Sequence, residues 1–192
     1  MAHLSTNPSV YLTAETFSGR TPPPVEHWNP PLSGEMDLRI ARNGVWRHNG
    51  TPIQREALVR LFASVLRCDE DGRHYLVTPV EKWRIQVDDA PFLAVRLDAS
   101  GSSPDQRLIF TTNVGDVIIA GPDHPLFVEY RTPGGEPAPY LLVRGRLRAL
   151  LTRPVFVELI GLGEERPSAE GREYGVWSLG QFFSLGWLDD DL

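Results

Sequence analysis

Turn-forming residues interrupt this chain so often that few long regular elements fit between them. Gly and Pro occur 17 times each in 192 residues, and Asn and Asp flank many of the same breaks. The runs between the breaks are short, partly alternating, and bounded on both sides by turn residues, which favours strands over helices. The sequence therefore predicts an α+β chain that is mostly β.

Short apolar runs bounded in this way are predicted as strands along most of the chain. These predicted strands are residues 38–42, 44–48, 73–78, 82–87, 92–98, 108–112, 116–120, 126–131, 140–144, 146–151 and 155–160.

One long helix is predicted over residues 52–67. Thr51 is the predicted N-cap, Pro52 occupies the first helical position, N1, and Gln54 occupies N3. Thr51 and Gln54 thus fit the capping-box pattern. Apolar residues then recur at helical spacing from Ile53 to Leu66.

The first 36 residues are predicted to form an extended, Pro-rich arm. Thr21-Pro22-Pro23-Pro24 and Asn29-Pro30-Pro31 both favour the polyproline conformation. Trp28 stands between these two stiff pieces, and we expect it to anchor the arm on the folded body.

The two halves of the remaining chain repeat one another in order. Gly44 and Gly50 precede Gly115 and Gly121 by 71 positions each, and Tyr75-Leu76-Val77 matches Tyr140-Leu141-Leu142. The sequence thus predicts two related β-rich subdomains from internal duplication, 37–99 with the long helix and 100–192. The identities are few, so a chance similarity is the alternative.

Charge and cysteine usage exclude several classes of protein. Lys and Arg number 19 against 25 Asp and Glu, a net charge of −6, which argues against a general nucleic-acid coat. Lys82 is the only lysine, and every other Lys or Arg position is an arginine. Arginines suit bidentate anion binding, but their excess could also reflect a GC-rich genome. The single Cys68 excludes an internal disulfide and a zinc ribbon.

Motifs for catalysis, cofactors and targeting are lacking in the sequence. The chain contains no phosphate loop, dinucleotide fingerprint, nucleophile elbow or helical zinc pair of histidines. We therefore expect no enzyme, no cofactor and no bound metal. There is also no apolar run of about 18 residues and no signal-peptide pattern, so we expect no membrane span and a cytoplasmic location.

Basic residues at alternating positions form the first set of candidate ligand-binding residues. Arg144, Arg146 and Arg148 would share one face of a strand, as would Lys82 and Arg84 in the first half. Such a face could hold a phosphate group. The alternative is a solvated face with Glu partners from a neighbouring strand.

Polar turns form the second set. Trp46, His48 and Asn49 precede the predicted helix, whose first amides would be open to an anion, and Trp46 could stack on a base or lie in the core. Asn113 and Asp116 flank the corresponding turn in the second half.

Several segments resemble a small bacterial family of uncharacterised proteins with a duplicated core. The segments that carry this resemblance are Trp28-Asn29-Pro30-Pro31, Asn49-Gly50-Thr51-Pro52-Ile53, Thr78-Pro79-Val80-Glu81-Lys82, Asp88-Asp89-Ala90-Pro91-Phe92, Phe110-Thr111-Thr112-Asn113-Val114-Gly115-Asp116 and Gly121-Pro122-Asp123-His124-Pro125-Leu126. The resemblance implies a C-terminal half similar to pleckstrin-homology barrels. It also implies a nucleotide-like ligand at the subdomain interface and a role in signal transduction.

The sequence as a whole favours a non-enzymatic module that binds a small anionic, nucleotide-like ligand and signals to a protein partner. The alternative is a protein-protein interaction scaffold without a small-molecule ligand, which would use the Pro-rich arm or an exposed strand edge. The oligomeric state and the ligand's identity are left open.

Overall fold

The protein is described by a computed structural model over residues 23–130, 135–169 and 171–188. The described chain divides into two compact units, each considered by itself. The first holds residues 23–39 and 46–86, and the second holds Ile40–Val45 and residues from Val87 onward. Within these residues, no helix is both long and apolar enough to cross a membrane. Residues 1–22 of the predicted arm lie outside the described residues.

The first unit is a six-stranded sheet with one helix. A short 3-10 helix (Val25–His27) precedes its strands, and the sheet order is β3-β2-β1-β6-β5-β4. The elements are β1 (Leu32–Ile40), β2 (Trp46–His48), β3 (Thr51–Pro52), α1 (Glu56–Ser64), β4 (Leu66–Cys68), β5 (His74–Val77) and β6 (Lys82–Val87).

The helix of the first unit is shorter than the predicted residues 52–67. Thr51 and Pro52 instead form β3, paired with His48 and Arg47 of β2, where Pro at an edge position removes no ladder bond. The N-cap of α1 is Arg55, without a side-chain cap, so the capping box does not form. At the other end, the predicted last turn becomes β4, which pairs with β5.

The second unit contains a six-stranded sheet, a three-stranded sheet and one helix. The sheet orders are β10-β11-β12-β7-β8-β9 and β13-β14-β15. The elements are β7 (Phe92–Ser100), β8 (Arg107–Thr112), β9 (Val117–Ile119), β10 (Leu126–Tyr130), β11 (Pro137–Arg144), β12 (Leu147–Leu151), α2 (Arg153–Gly161), β13 (Glu164–Ser168), β14 (Gly171–Ser178) and β15 (Gln181–Leu188).

The last predicted strand, residues 155–160, is wrong, because α2 covers it. Thr152 takes the N-cap position and Pro154 lies in the first turn, where its missing N–H costs no hydrogen bond. Val155 and Leu159, four residues apart, are the buried side chains that hold the helix. Helical spacing of the apolar residues therefore prevailed over their β propensity.

The two six-stranded sheets have the same strand order, which confirms the predicted two-part, duplicated and mostly-β architecture. Each sheet consists of two sets of three consecutive strands. The first strand of one set lies beside the last strand of the other set, so that β1 lies beside β6 and β7 lies beside β12. Tyr75 and Tyr140 lie on equivalent strands, β5 and β11. The matched glycine pairs of the two halves flank β2 and β9, which would make these two strands equivalent. The strand order of the sheets instead makes β3 equivalent to β9. The pleckstrin-homology likeness of the second half stays a prediction.

The boundary between the halves differs from the predicted one at residue 99. Strand β7, placed by the sequence in the first repeat, pairs in parallel with β12 through Phe92–Ala149 and Ala94–Leu151. It therefore belongs to the second sheet. The strands β13–β15 follow α2 where the sequence predicts none. Two of their aromatic residues, Trp177 and Phe182, contact edge to face at 5.3 Å across β14 and β15.

Candidate functional site

A groove of about 620 Å³ lies in the second unit beside the start of α2. It is lined by Arg42, Asn43, Leu93, Glu136, Pro137, Ala138, Pro139, Leu150, Leu151, Thr152, Arg153 and Phe156. The lining is apolar on the sheet side and polar at the rim.

The groove opens where two strands separate. Pairing of β11 with β12 ends at Tyr140–Leu150. Pro139, the β11 residue just before Tyr140, has no N–H to donate to the ladder. Pro137, two residues earlier, also lacks an N–H. Beyond this point the two strands are no longer paired, and apolar side chains such as Leu150 line the groove.

The N-terminus of α2 lies at the polar rim without a side-chain cap. The Thr152 hydroxyl donates to the Ala94 carbonyl oxygen at 3.1 Å and makes no hydrogen bond to the helix amides. The first turn contains no acidic residue. Neither a side-chain cap nor an acidic residue of the first turn therefore offsets the partial positive charge of this helix end, and Arg153 adds a full charge beside it.

A buried carboxylate positions the second arginine of the rim. Arg42 Nε lies 3.3 Å from Asp89 Oδ2, whose side chain is only 3% exposed, while the Arg42 side chain is 58% exposed. The Tyr140 hydroxyl donates to Asp89 Oδ1 at 2.7 Å. Asp89 is thus held from two sides, and the Arg42 guanidinium is tethered at one nitrogen while its side chain stays open to solvent.

One predicted site residue supports the groove from behind. The side-chain Oδ1 of Asn113 accepts from the main-chain amide of Leu93 at 2.9 Å. The main-chain amide of Asn113 donates to the Leu93 carbonyl oxygen, also at 2.9 Å. Leu93 itself lines the groove. Asn113 therefore fixes a lining residue without lining the groove.

The other predicted residues of the second unit do not share a strand face. Arg144 ends β11, Arg146 lies in the turn after Gly145, and Arg148 is on β12, so the predicted single-strand face of three arginines is wrong. Gly145, with φ of 50°, and Arg146 form a hairpin turn, whereas a shared face of the three arginines requires a continuous strand.

Two of these arginines carry acidic partners from neighbouring segments. Arg144 Nη1 lies 3.2 Å from Asp116 Oδ2, and its guanidinium stands 5.1 Å from the centre of the Phe92 ring. Arg148 Nη1 of β12 donates at 2.7 Å to Glu129 Oε1 of β10, which lies beyond β11 in the sheet. Arg148 thus has a Glu partner, as in the alternative interpretation of a solvated face.

In the first unit, the two basic residues of β6 are likewise ion-paired. Lys82 Nζ lies 2.5 Å from Asp69 Oδ2 and 4.2 Å from the centre of the Tyr75 ring. Arg84 pairs with Glu35. Both positive charges are thus balanced by carboxylates of the same unit.

Trp46 is a core residue, and its two predicted companions are on the surface. Trp46 is 1% exposed and stacks on Phe62 with ring centres 6.3 Å apart. Its Nε1 is buried without a hydrogen-bond partner in the described structure. His48 and Asn49 are exposed in the β2–β3 turn, where Asn49 has φ of 48°. Burial removes Trp46 as a surface for stacking a base.

None of the nine predicted ligand-binding residues lines the groove. The groove instead uses Arg42-Asn43 and Thr152-Arg153, which the sequence placed at the end of a strand and in front of one. The N-cap threonine followed by Pro154 is a helix-start signal that could have indicated α2 and its open amides. No local signal connects Arg42 to the rest of the groove, because that proximity arises from pairing across the sheet.

Family models account for most of the chain. One described as "Domain of unknown function (DUF1285), N-terminal domain" matches residues 23–90, and one described as "Protein of unknown function (DUF1285), C-terminal domain" matches residues 91–185. No curated protein matches the chain.

Two crystal structures are similar to this chain. A DUF1285 family protein from Silicibacter pomeroyi DSS-3 is 48% identical over 91% of this chain and 93% of that one, with a TM-score of 0.82. A DUF1285 family protein from Shewanella baltica OS155 is 26% identical over 66% of this chain and 91% of that one, with a TM-score of 0.51. Both family models match in order along the chain and both similar structures come from the same family, so this chain belongs to the DUF1285 family.

Proposed function

We propose that this protein is a non-enzymatic module that binds a small anionic, nucleotide-like ligand in the groove beside α2 and signals its occupancy to a protein partner. The observation that carries the proposal is the combination, in one groove, of an apolar floor, two rim arginines and an uncapped helix N-terminus.

The dimensions and floor of the groove suit a ligand with a flat apolar part. A volume of about 620 Å³ falls in the range of small-molecule sites, about 300–1,000 Å³. Leu93, Leu150 and Phe156 supply partly buried apolar surface on which a ring could rest.

The charges at the rim suit an anionic group. The lining carries two guanidinium groups, Arg42 and Arg153, and one carboxylate, Glu136, while Asp89, the partner of Arg42, is buried and does not belong to the lining. Guanidinium groups bind phosphate oxygens in a bidentate manner, and the amides of the first α2 turn add donors of fixed orientation. A phosphate held at the rim would leave the rest of the ligand over the apolar floor.

The test is a thermal-shift screen of the full chain against mononucleotides, dinucleotide second messengers and inositol phosphates. A ligand at about 100 times its Kd stabilises the folded state by about 2.7 kcal/mol, which raises the Tm by several degrees in a chain of this size. We expect at least one nucleotide to do so and Arg153→Ala to weaken its binding about 10-fold or more, since a charge-assisted hydrogen bond contributes about 1.5–3 kcal/mol.

Arg96→Ala is the matched control. Arg96 is an exposed arginine of the same unit, it pairs with Asp98, and it does not line the groove. Its loss should leave the affinity unchanged. If Arg146→Ala or Lys82→Ala abolishes binding while Arg153→Ala does not, the module binds its ligand elsewhere. If no compound shifts the Tm, the binding function itself is wrong.

A further inference from the structure

Two sheets of the second unit end at strands that face a common groove. Strand β10 is the last strand of the six-stranded sheet and β15 the last of the three-stranded sheet. Between them lies a groove of about 400 Å³, lined by residues 126–128 and 130 of β10 and by residues 181–187 of β15. Side chains alternate between the faces of a sheet, so a lining that includes neighbouring residues indicates that the groove runs along the main chain.

The pairing register shows which β10 amides face this groove. The Leu142 amide donates to the Pro125 carbonyl oxygen, so these two are opposed at a hydrogen-bonded position of the β10–β11 ladder. Hydrogen-bonded positions alternate along an antiparallel pair, which makes 127 and 129 the next ones. The main-chain groups of Leu126, Val128 and Tyr130 therefore point away from β11, toward the groove.

The prolines of β11 agree with this alternation. Pro139 lies opposite Val128 and Pro137 opposite Tyr130. Both pairs are positions without ladder bonds between these strands, where a missing N–H costs β10 nothing. The open edge of β10 thus carries outward amides at every second residue.

The same reasoning applies to β15. Leu179 and Gly180 both have positive φ, 52° and 73°, which is the two-residue turn that closes on a hydrogen-bonded pair, here Ser178 and Gln181. The main-chain groups of Phe182 and Ser184 therefore point away from β14. No strand of the described residues pairs with the outer edge of β10 or of β15, and both edges border the groove.

The described residues that line the groove are apolar, aromatic or uncharged. Glu129 of β10 is not among them, and it pairs with Arg148. Tyr130 is 54% exposed and Trp187 50% exposed, and both line the groove. Exposed aromatic residues with few charges are typical of the centre of a protein interface, and edge strands are ordinarily protected by charges, which the described lining lacks.

We infer that this groove binds an extended, uncharged segment of a partner protein, which adds a strand to the open edge of β10 or β15. Outward main-chain groups select a polypeptide, because a strand supplies the matching donors and acceptors at the same repeat. Charge complementarity selects an uncharged segment with apolar residues at alternate positions, because the described lining offers no counter-charge to a buried ion. This inference does not depend on the proposed ligand.

The experiment is a selection of random 12-residue peptides, displayed on phage, against the immobilised full chain. Selected peptides should alternate apolar and small polar residues. They should also lack proline at the alternate positions whose N–H groups would bond to the strand edge. Synthetic copies of them should slow the hydrogen exchange of the Leu126, Val128 and Tyr130 amides, or of the Phe182 and Ser184 amides, at least 10-fold. Before peptide is added, we expect the amides of Phe127 and Glu129 to exchange more slowly than their outward neighbours.

Half-exposed side chains provide variants that should still fold. Trp187→Ala and Tyr130→Ser should each weaken the peptides at least 10-fold. Val117→Ser is the matched control, because Val117 is 68% exposed on β9, the opposite edge strand of the same sheet. It should leave the affinity unchanged.

Each other outcome overturns the inference. No enrichment above an uncoated surface, or peptides that protect other amides and bind Trp187→Ala with unchanged affinity, removes the peptide site. A concentration-dependent dimer in sedimentation that Trp187→Ala abolishes would make a second copy of this chain the occupant instead.

Discussion

The position of a basic residue in this chain is decided by its carboxylate partner more than by its place on a strand. Arg67 is the clearest case, because it is only 6% exposed and binds on two sides. Its Nη1 donates to the carbonyl oxygens of Val25 and Trp28 at 2.8 and 2.6 Å, while its Nε donates to Asp69 Oδ1 at 2.6 Å. The segment around Trp28 is therefore held through its main chain by Arg67, where the sequence had predicted an indole anchor.

Asp69 joins Arg67 and Lys82 into one cluster. Partial burial raises the pKa of Asp69, but hydrogen bonds from Arg67 and Lys82 outweigh that effect and hold its pKa below the ordinary aspartate value. A carboxyl group with a lowered pKa stabilises the folded state at pH values above its unfolded pKa. That stability is lost as the pH falls through the folded pKa, below about pH 4.

We expect Asp69→Asn to lower the free energy of unfolding by about 3 kcal/mol at pH 7, because it leaves the buried Arg67 without its counter-charge. The deficit should shrink as the pH is lowered below 4, where the wild-type carboxyl also becomes neutral. Urea unfolding of both proteins at pH 7 and pH 3 measures this.

The control for this prediction is Asp98→Asn, which breaks the exposed ion pair with Arg96. Exposed pairs contribute about 0–1 kcal/mol, so this variant should unfold almost like the wild type. A deficit of Asp69→Asn that is equal at both pH values would contradict the assigned role of the carboxylate.

At the scale of elements, strand positions followed from the sequence where turn residues lie close on both sides. The predicted strand 82–87 coincides with β6, and the predicted 108–112 differs from β8 by one residue. Helix ends did not follow. Residues 51–52 have the composition of a helix start, yet pairing with β2 takes them into the sheet, and only the tertiary context decides between these outcomes.

The candidate site was less predictable than the fold for the same physical reason. Alternation identifies which residues share a strand, but it cannot tell a continuous strand from a hairpin whose turn contains Gly145. The groove residues Arg42 and Arg153 are 111 positions apart in the sequence. Their common position depends on the pairing of strands, which local patterns do not encode.

A glycine of the small sheet gives a prediction at this scale. Gly175 lies at an irregularity between β14 and β15, and a Cβ there would stand 2.3 Å from the Phe183 carbonyl oxygen and 2.6 Å from the Phe182 ring. Backbone cannot yield as a side chain can. We expect Gly175→Ala to lower the free energy of unfolding by about 3 kcal/mol, at the upper end of overpacking effects.

Gly161→Ala is the comparison for that substitution. Gly161 ends α2, and a Cβ there meets nothing within 4 Å. Replacing a helical glycine of ordinary φ with alanine should stabilise the protein by about 0.5–1 kcal/mol. Chemical denaturation of both variants decides the matter, and two variants of equal stability would refute the steric argument.

At the scale of the whole molecule, the duplicated halves are not two consecutive pieces of chain. The second unit takes Ile40–Val45 from within the sequence of the first. Inside the second unit, this segment supplies the Ile40 carbonyl oxygen to the Asp88 amide at 3.0 Å and the Arg42 partner of Asp89. A boundary drawn between consecutive residues therefore separates parts of one compact unit.

The segment is also fitted closely to its surroundings. Gly44 has φ of 78°, a conformation that favours glycine, and a Cβ there would lie 2.8 Å from Asn113 Nδ2 and 2.9 Å from Leu93 Cδ1. Leu93 and Arg42 both line the groove proposed for the ligand. The groove is complete only when the segment from the first half of the sequence is in place.

A chain beginning at residue 87 should therefore be less stable than the same unit in the full protein, and a synthetic peptide of residues 38–47 should restore part of the loss. Without the peptide, Asp89 keeps a buried charge with no basic partner from the segment, which is costly. At about 100 times its Kd the peptide should stabilise the fragment by about 2.7 kcal/mol, and the Tm should rise with peptide concentration. A peptide carrying Arg42→Met should raise it less, because the methionine fills space without pairing Asp89. A fragment whose Tm is the same with and without either peptide would mean that Ile40–Val45 is dispensable to the second unit, and the groove would then have to form without its Arg42 rim.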